Sequence, residues 1–165
     1  MYNKTRGFEE VCRNQKKNDV EVKIPLKSTI NSAGYDFITP VDIDIPPQSK
    51  VSFYTDIKAY MQPGETLLLF PRSSTGIKHD LELANTIAVG DCDFYENVEN
   101  DGNYKVVLWN RRPSFRYEGS NKVFVHDCDN GGLTCISVPV LVDLTQENTV
   151  HVKAGDRLIQ GIFFK

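Results

Sequence analysis

No stretch of the 165 residues is apolar for long enough to span a bilayer, and the opening MYNKTRGFEEVCRNQKK lacks the apolar core of a secretory signal. A cytoplasmic protein without a membrane partner is expected. Cysteine is scarce: Cys12, Cys92, Cys128 and Cys135 form no C-x-x-C pair, which argues for free thiols in a reducing compartment and against a disulfide framework. His126, Cys128 and Cys135 lack a fourth ligand at zinc spacing. The stretch Asp127–Gly132 lacks calcium-loop ligands, having Gly131 at the fifth position and Val138 at the twelfth, and reads instead as an Asn/Gly-rich β-turn. Neither charge sign dominates, and a net charge of -3 argues against a polynucleotide partner while leaving room for a small anion in a local cationic pocket. Fixed-period repeats, low-complexity linkers and compositional breaks are all missing.

What is present is ordinary for a globular chain: 40% hydrophobic and 25% charged residues, enough for one domain over 1–165 with a sizeable core. Short runs rich in Val, Ile, Thr, Phe and Tyr recur between Pro, Gly, Asn and Asp: VEVKIPL, YDFITPVDIDI, KVSFYTDIKAYM, ETLLLFP, KVVLWN, KVFVHD, TCISVPVLVDL, TVHVKA and RLIQGIFFK. The pattern predicts an all-β fold, a sandwich or jelly-roll-like barrel, with short helical turns only at Ser73–Leu83 and Phe8–Asn14.

Four segments carry residue types suited to phosphate chemistry. In AGYDF, Asp36 suits either water held on a hard cation or a solvated turn. PRSSTG supplies a guanidinium fork in Arg72, hydroxyls in Ser73 and Ser74, and Gly76 beside them; the alternative is a helix-capping serine cluster. LANTIAVGDCDF places Asp91 and Asp93 in a segment between strands, where a carboxylate orients water or is merely solvated. GDRLIQG is a turn into a strand with Gln160 facing away from Ile159.

In this order the segments resemble the trimeric dUTPase family over about Ile24 to Phe163. The resemblance implies hydrolysis of dUTP to dUMP and pyrophosphate with Mg²⁺, in a homotrimer whose sites lie between subunits. It assigns Arg72, Ser73, Ser74, Gly76 and Gln160 to the phosphates, and Asp36 to Mg²⁺ through water. Asp91 becomes the general base; Asn85, Ala88, Val89 and Gly90 belong to a uracil-reading hairpin, and Phe94 packs on the deoxyribose. AGYDF and the hairpin are expected from one chain, PRSSTG from a second and a closing tail from the third.

Several departures stand out. Ala88 replaces a glycine, Gly90 a branched aliphatic residue and Phe94 a tyrosine. The family's Gly-rich closing segment is expected to follow Lys165. About forty residues, Arg111 to Val150, are inserted before GDR, implying extra strands. Two alternatives remain open: a dCTP deaminase, whose glutamate-bearing helical context is not visible after the hairpin, and a nucleotide-binding regulator without turnover, docking through the insertion, where RRPSFRYEG carries interface-prone residues.

Overall fold

The computed structural model describes residues 5–126 and 131–165. Alternating apolar residues give β1 (Gly7–Glu10), β2 (Tyr35–Ile38), β3 (Ile43–Ile45), β4 (Lys50–Tyr54), β5 (Ile57–Tyr60) and β6 (Thr66–Pro71). Helix α1 (Ser73–His79) follows, then β7 (Leu81–Leu83), β8 (Ala88–Asp91), β9 (Lys105–Asn110), β10 (Phe115–His126) and β11 (Leu133–Asp143). A single helical turn α2 (Thr145–Asn148), β12 (Val150–Val152) and β13 (Arg157–Phe164) complete the chain.

The architecture is all-β, as expected. A four-stranded sheet in the order β2-β13-β6-β8 and a three-stranded sheet β4-β9-β7 are accompanied by the separate pairs β1-β5 and β12-β3. No ladder closes the described strands into a barrel. Period-two alternation builds the core: Leu67 and Leu69 of β6 are buried, as are Val106 and Leu108 of β9, and they meet Phe37, Ile45 and Ile159 in one apolar cluster.

Three expectations change. VEVKIPL forms no strand and contributes only an isolated bridge from Leu26 to Asp36, and Pro25, lacking a backbone donor, interrupts any ladder just before it. Phe8–Asn14 is not helical: its apolar residues are captured by β5, leaving a 3-10 turn at Arg13–Gln15. The helix begun at Ser73 stops at His79, where Asp80 takes a left-handed φ of 52°, and Leu81 turns into a strand paired with β9.

The insertion does contain extra strands. β10 and β11 pair only with each other, antiparallel, and their side chains are exposed almost throughout, including Phe115, Tyr117, Phe124, Leu133 and Leu141. Most of the predicted turn at Asp127–Gly132, and Cys128 with it, lies outside the described residues.

The turn between β4 and β5 is fixed by Asp56, fully buried with a φ of 55°. Its carboxylate accepts from the amides of Lys17 and Asn18 and from the side-chain amides of Asn18 and Asn103, at 2.8–2.9 Å. This clamps the N-terminal segment and the loop before β9 onto the sheet. Asp56→Ala removes four hydrogen bonds, leaves the amides of Lys17 and Asn18 without their acceptor and places alanine in a backbone region it avoids, so it is expected to cost about 3 kcal/mol. A fall in the urea midpoint at constant m-value measures this, and an unchanged midpoint refutes it.

Candidate active site

Strand register assembles the first group of site residues. Asp36 on β2 lies directly opposite Gln160 on β13, which lies opposite Phe70 on β6. The chain leaves β6 at Pro71 and places Arg72 above β13, where its amide donates to the Leu158 carbonyl at 2.8 Å. Thr75, fully buried in α1, donates to the same carbonyl at 2.7 Å, pinning PRSSTG to the start of GDRLIQ.

Asp36 is no solvated turn residue: it sits inside β2 and is 6% exposed. It accepts from Ser28 Oγ at 2.5 Å and pairs with Arg72 Nε at 3.3 Å and Arg157 Nη1 at 3.5 Å. The carboxylate therefore aims one guanidinium and is shared with a second. Gly34 leaves room for Gln160 nearby: a Cβ there would meet Gln160 Oε1 at 2.8 Å and Gln160 Cβ at 3.2 Å, so the Gln160 side chain would have to shift. Ser28, Ser32, Ala33, Gly34, Asp36, Arg72, Ser73 and Gln160 line a cleft of about 300 Å³. Ser74 and Gly76 do not line it. Gly76 is the fourth residue of α1, its amide directed to the Arg72 carbonyl at 3.4 Å, so it opens no helix end toward an anion.

The second group lies elsewhere. Asn85, Ala88, Val89 and Phe94, with Tyr54, Asn103, Tyr104 and Lys105 among their neighbours, line a cleft of about 340 Å³. Val89 and Phe94 also border an adjoining cleft of about 340 Å³ that holds Asp91, Asp93, Asn97, Val98 and Glu99. The supporting segment is not a ladder-bonded hairpin. β7 pairs with β9 and β8 with β6, so residues 84–87 cross from one sheet to the other. Tight turns make that crossing, with Thr86 N donating to Leu83 O at 2.9 Å and Ile87 N to Asn85 O at 2.7 Å. Thr86 takes a φ of 65°, costly for a β-branched residue.

Two departures from the family pattern now have physical accounts. Ala88 sits in an extended strand and needs no glycine-only angle. At Gly90 the missing aliphatic volume is filled by Tyr104, whose Oη would lie 2.1 Å from a Cβ placed there. Phe94 packs against the same ring, centroids 5.1 Å apart.

The loop walling the Asp91 cleft is held by charge. Lys58, 7% exposed, donates to Asp101 at 3.1 Å and to Glu96 at 3.2 Å and lies over the Tyr95 ring. Burial alone would lower the Lys58 pKa, but the bonds to Asp101 and Glu96 outweigh it and raise the value above the ordinary one. Asp101 is the converse. Burial would raise its pKa, yet the Cys12 amide and the Lys58 ammonium hold it below the usual range.

The cleft of Asp36 and Arg72 shares no residue with the other two, and the expected grouping of Asp36 with the base-reading segment is therefore corrected. Within one chain Asp36 belongs with Arg72, Ser73 and Gln160. Asp91 pairs with Thr66 at one end of β6, and Arg72 follows Pro71 at the other. Six residue steps at about 3.3 Å separate Thr66 from Arg72 by roughly 20 Å. Sequence reasoning passed over Ser28, Arg157 and Tyr104; of these only Arg157, inside GDRLIQ, stood in a segment already singled out.

No group of three or more His, Cys, Asp or Glu side chains able to hold a metal occurs among the described residues. No helix among them is long and apolar enough to cross a membrane. Cys12, Cys92 and Cys135 are free.

Comparison with known proteins agrees with the geometry. The dUTPase family model matches residues 20–123. A deoxyuridine 5'-triphosphate nucleotidohydrolase of Lactococcus lactis is 40% identical over 99 residues, covering 60% of this chain and 64% of that protein, so the chain spans just under two thirds of the relative's length. The crystal structure of a dUTPase from Streptococcus mutans superposes with a TM-score of 0.65 at 28% identity, covering 96% of this chain and 94% of that one. A mutant dUTPase of phage phi11 of S. aureus, described with a coordinated structural Mg(II) ion, shares the fold at 20% identity and a TM-score of 0.64, over 98% of this chain and 90% of that one. With the family model spanning well over half of its residues, the chain belongs to the dUTPase family.

Proposed function

We propose that the protein hydrolyses dUTP to dUMP and pyrophosphate, as a homotrimer in which each site joins the phosphate cleft of one chain to the base cleft of a neighbour. The observation carrying this reading is the separation of the two residue groups along β6. Asp91 must lie within reach of the water attacking the α-phosphorus, whereas Arg72, Ser73 and Gln160 grip the phosphates, and roughly 20 Å along one strand cannot serve both.

In the joined site, Arg72 held by Asp36 neutralises phosphate charge through its fork, with Ser73 and Gln160 donating beside it. Backbone groups from Asn85 to Gly90 read the base, and the Phe94 ring lies against the deoxyribose. Asp91 orients a water and takes its proton as the new O–P bond forms. The bond from the α-phosphorus to the bridging oxygen breaks, and pyrophosphate leaves with its electron pair.

Among the described residues the acidic side chains form no cage for a resident ion. They fit instead a hydrated Mg²⁺ brought by the triphosphate, a cation that keeps several waters when bound through phosphates. Asp36 would hold its water shell, and the ion would supply charge neutralisation at the phosphates. The free thiols suit a cytoplasmic setting.

The test is product analysis with dUTP, dCTP and UTP. Pyrophosphate release is expected with dUTP far ahead of both competitors, since cytosine reverses the donor and acceptor pattern and a 2′-hydroxyl meets the Phe94 ring. Ammonia from dCTP would identify a deaminase, and equal hydrolysis of all three a broad pyrophosphatase. A second reading, a regulator that binds dUTP without turnover, is favoured by the exposed apolar residues on β10 and β11. Tight dUTP binding with no pyrophosphate would establish it.

A further inference from the structure

Asp36 sits between two guanidiniums at nearly equal range, with Arg72 Nε 3.3 Å from Oδ1 and Arg157 Nη1 3.5 Å from Oδ2. Charge alone gives the carboxylate little reason to favour either, and the torsion that turns it is soft. The directional contact is a third one. Ser28 Oγ donates to Oδ2 at 2.5 Å, the short distance of a charge-assisted hydrogen bond. Ser28 is itself held on both sides. Before it, the Asp36 amide donates to Leu26 O at 2.9 Å, and the Lys27 ammonium lies 5.3 Å from the centre of the Tyr35 ring. After it, Ser32 N donates to Thr29 O and Thr29 N to Ser32 Oγ, each at 3.1 Å, closing a turn. Ser28 and Arg72 both line the phosphate cleft, whereas Arg157 does not.

We propose that Ser28 is a positioning residue for Arg72, acting through Asp36: its hydroxyl pins Oδ2 and so presents Oδ1 to Arg72 Nε. The same guanidinium donates from Nη1 to Arg157 O at 3.4 Å, and contacts at two separate nitrogens leave it little freedom to turn. Arg72 is thereby set in the cleft before nucleotide arrives, and binding need not order it. Without the hydroxyl the carboxylate is free to swing toward Arg157, and Arg72 loses the contact that aims it. The inference rests on Arg72 gripping the triphosphate.

Ser28→Ala in the full chain removes one oxygen from an exposed residue and leaves no buried void. Calorimetric titration with a non-hydrolysable dUTP analogue should show a Kd raised about tenfold, as for a lost hydrogen bond to a charged group. Deoxyuridine, which has no phosphate, should bind as to the parent, because the base cleft shares no residue with this one. Ser28→Thr keeps the hydroxyl and should bind the analogue as the parent does. In an Arg72→Ala background Ser28→Ala should weaken the analogue no further, since its effect passes through Arg72. An unchanged Kd in Ser28→Ala while Arg72→Ala binds weakly overturns the positioning role and leaves Arg72 on the phosphates. Parental affinity in Arg72→Ala overturns both. Further weakening in the double variant, Ser28→Thr binding as weakly as Ser28→Ala, or an equal loss of deoxyuridine affinity would each overturn the role of Ser28.

Discussion

Asp91→Asn should leave the protein folded and able to bind dUTP while turnover falls by about a hundredfold or more. The amide is isosteric with the carboxylate and holds a water equally well, but it cannot take the proton. The exposed position of Asp91 at the end of β8 makes a folding cost small, and its backbone pairing with Thr66 does not involve the side chain. The substitution therefore separates chemistry from binding. Calorimetric titration with a non-hydrolysable dUTP analogue should give a Kd close to that of the parent, and steady-state pyrophosphate release should give the lost kcat. Turnover within a few-fold of the parent would remove Asp91 from the mechanism, and a lost Kd would make it a binding residue.

The second large effect comes from mixing two inactive proteins. If Arg72 and Asp91 act in one site from different chains, homotrimers of Arg72→Ala and of Asp91→Asn are each inactive. Co-refolded at equal amounts, they place an intact Arg72 opposite an intact Asp91 in about a quarter of the sites, because each partner is drawn at random. Activity should rise from near zero to about a quarter of the parent value as subunits exchange. A site contained within one chain would gain nothing, since every chain carries one defect. Arg72→Ala also tests Asp36, whose buried carboxylate would keep, among the described residues, only Arg157 as a cation within 4 Å. Aggregation in place of a clean trimer would show that the ion pair serves the fold.

The residues of the candidate phosphate cleft were legible because they sit in local motifs. PRSSTG, AGYDF and GDRLIQ contain Arg72, Asp36 and Gln160 as written, and the strand-forming runs around them alternate with period two. Their grouping was not legible. Asp36 meets Arg72 because β2, β13 and β6 lie in register, a relation among residues up to 124 positions apart that no single segment encodes. For the same reason VEVKIPL reads as a strand by composition yet forms none: a strand exists through its partner, and here there is only a bridge at Leu26. Gly90 looked like a loss of geometry until Tyr104, fourteen residues on, was seen to occupy the vacated volume. The hairpin around Asn85 to Gly90 was implied by the family resemblance alone. The strands on either side belong to different sheets, where burial of Leu81 and Leu83 against β9 outweighs local pairing.

The arm formed by β10 and β11 departs from and returns to one point, since Phe115 and Asp143 face each other across the ladder. For the lineage that carries it, such an insertion is topologically free. Two adjacent chain ends are bridged by any antiparallel ribbon, long or short, without shifting the register of a strand that bears the site. Selection acting on the arm and selection acting on the nucleotide site are thereby uncoupled. The exposed Tyr117, Phe124 and Leu141 are open to change at a pace that Asp36 and Gln160, inside the central sheet, and Arg72, pinned to it through Leu158, could not follow.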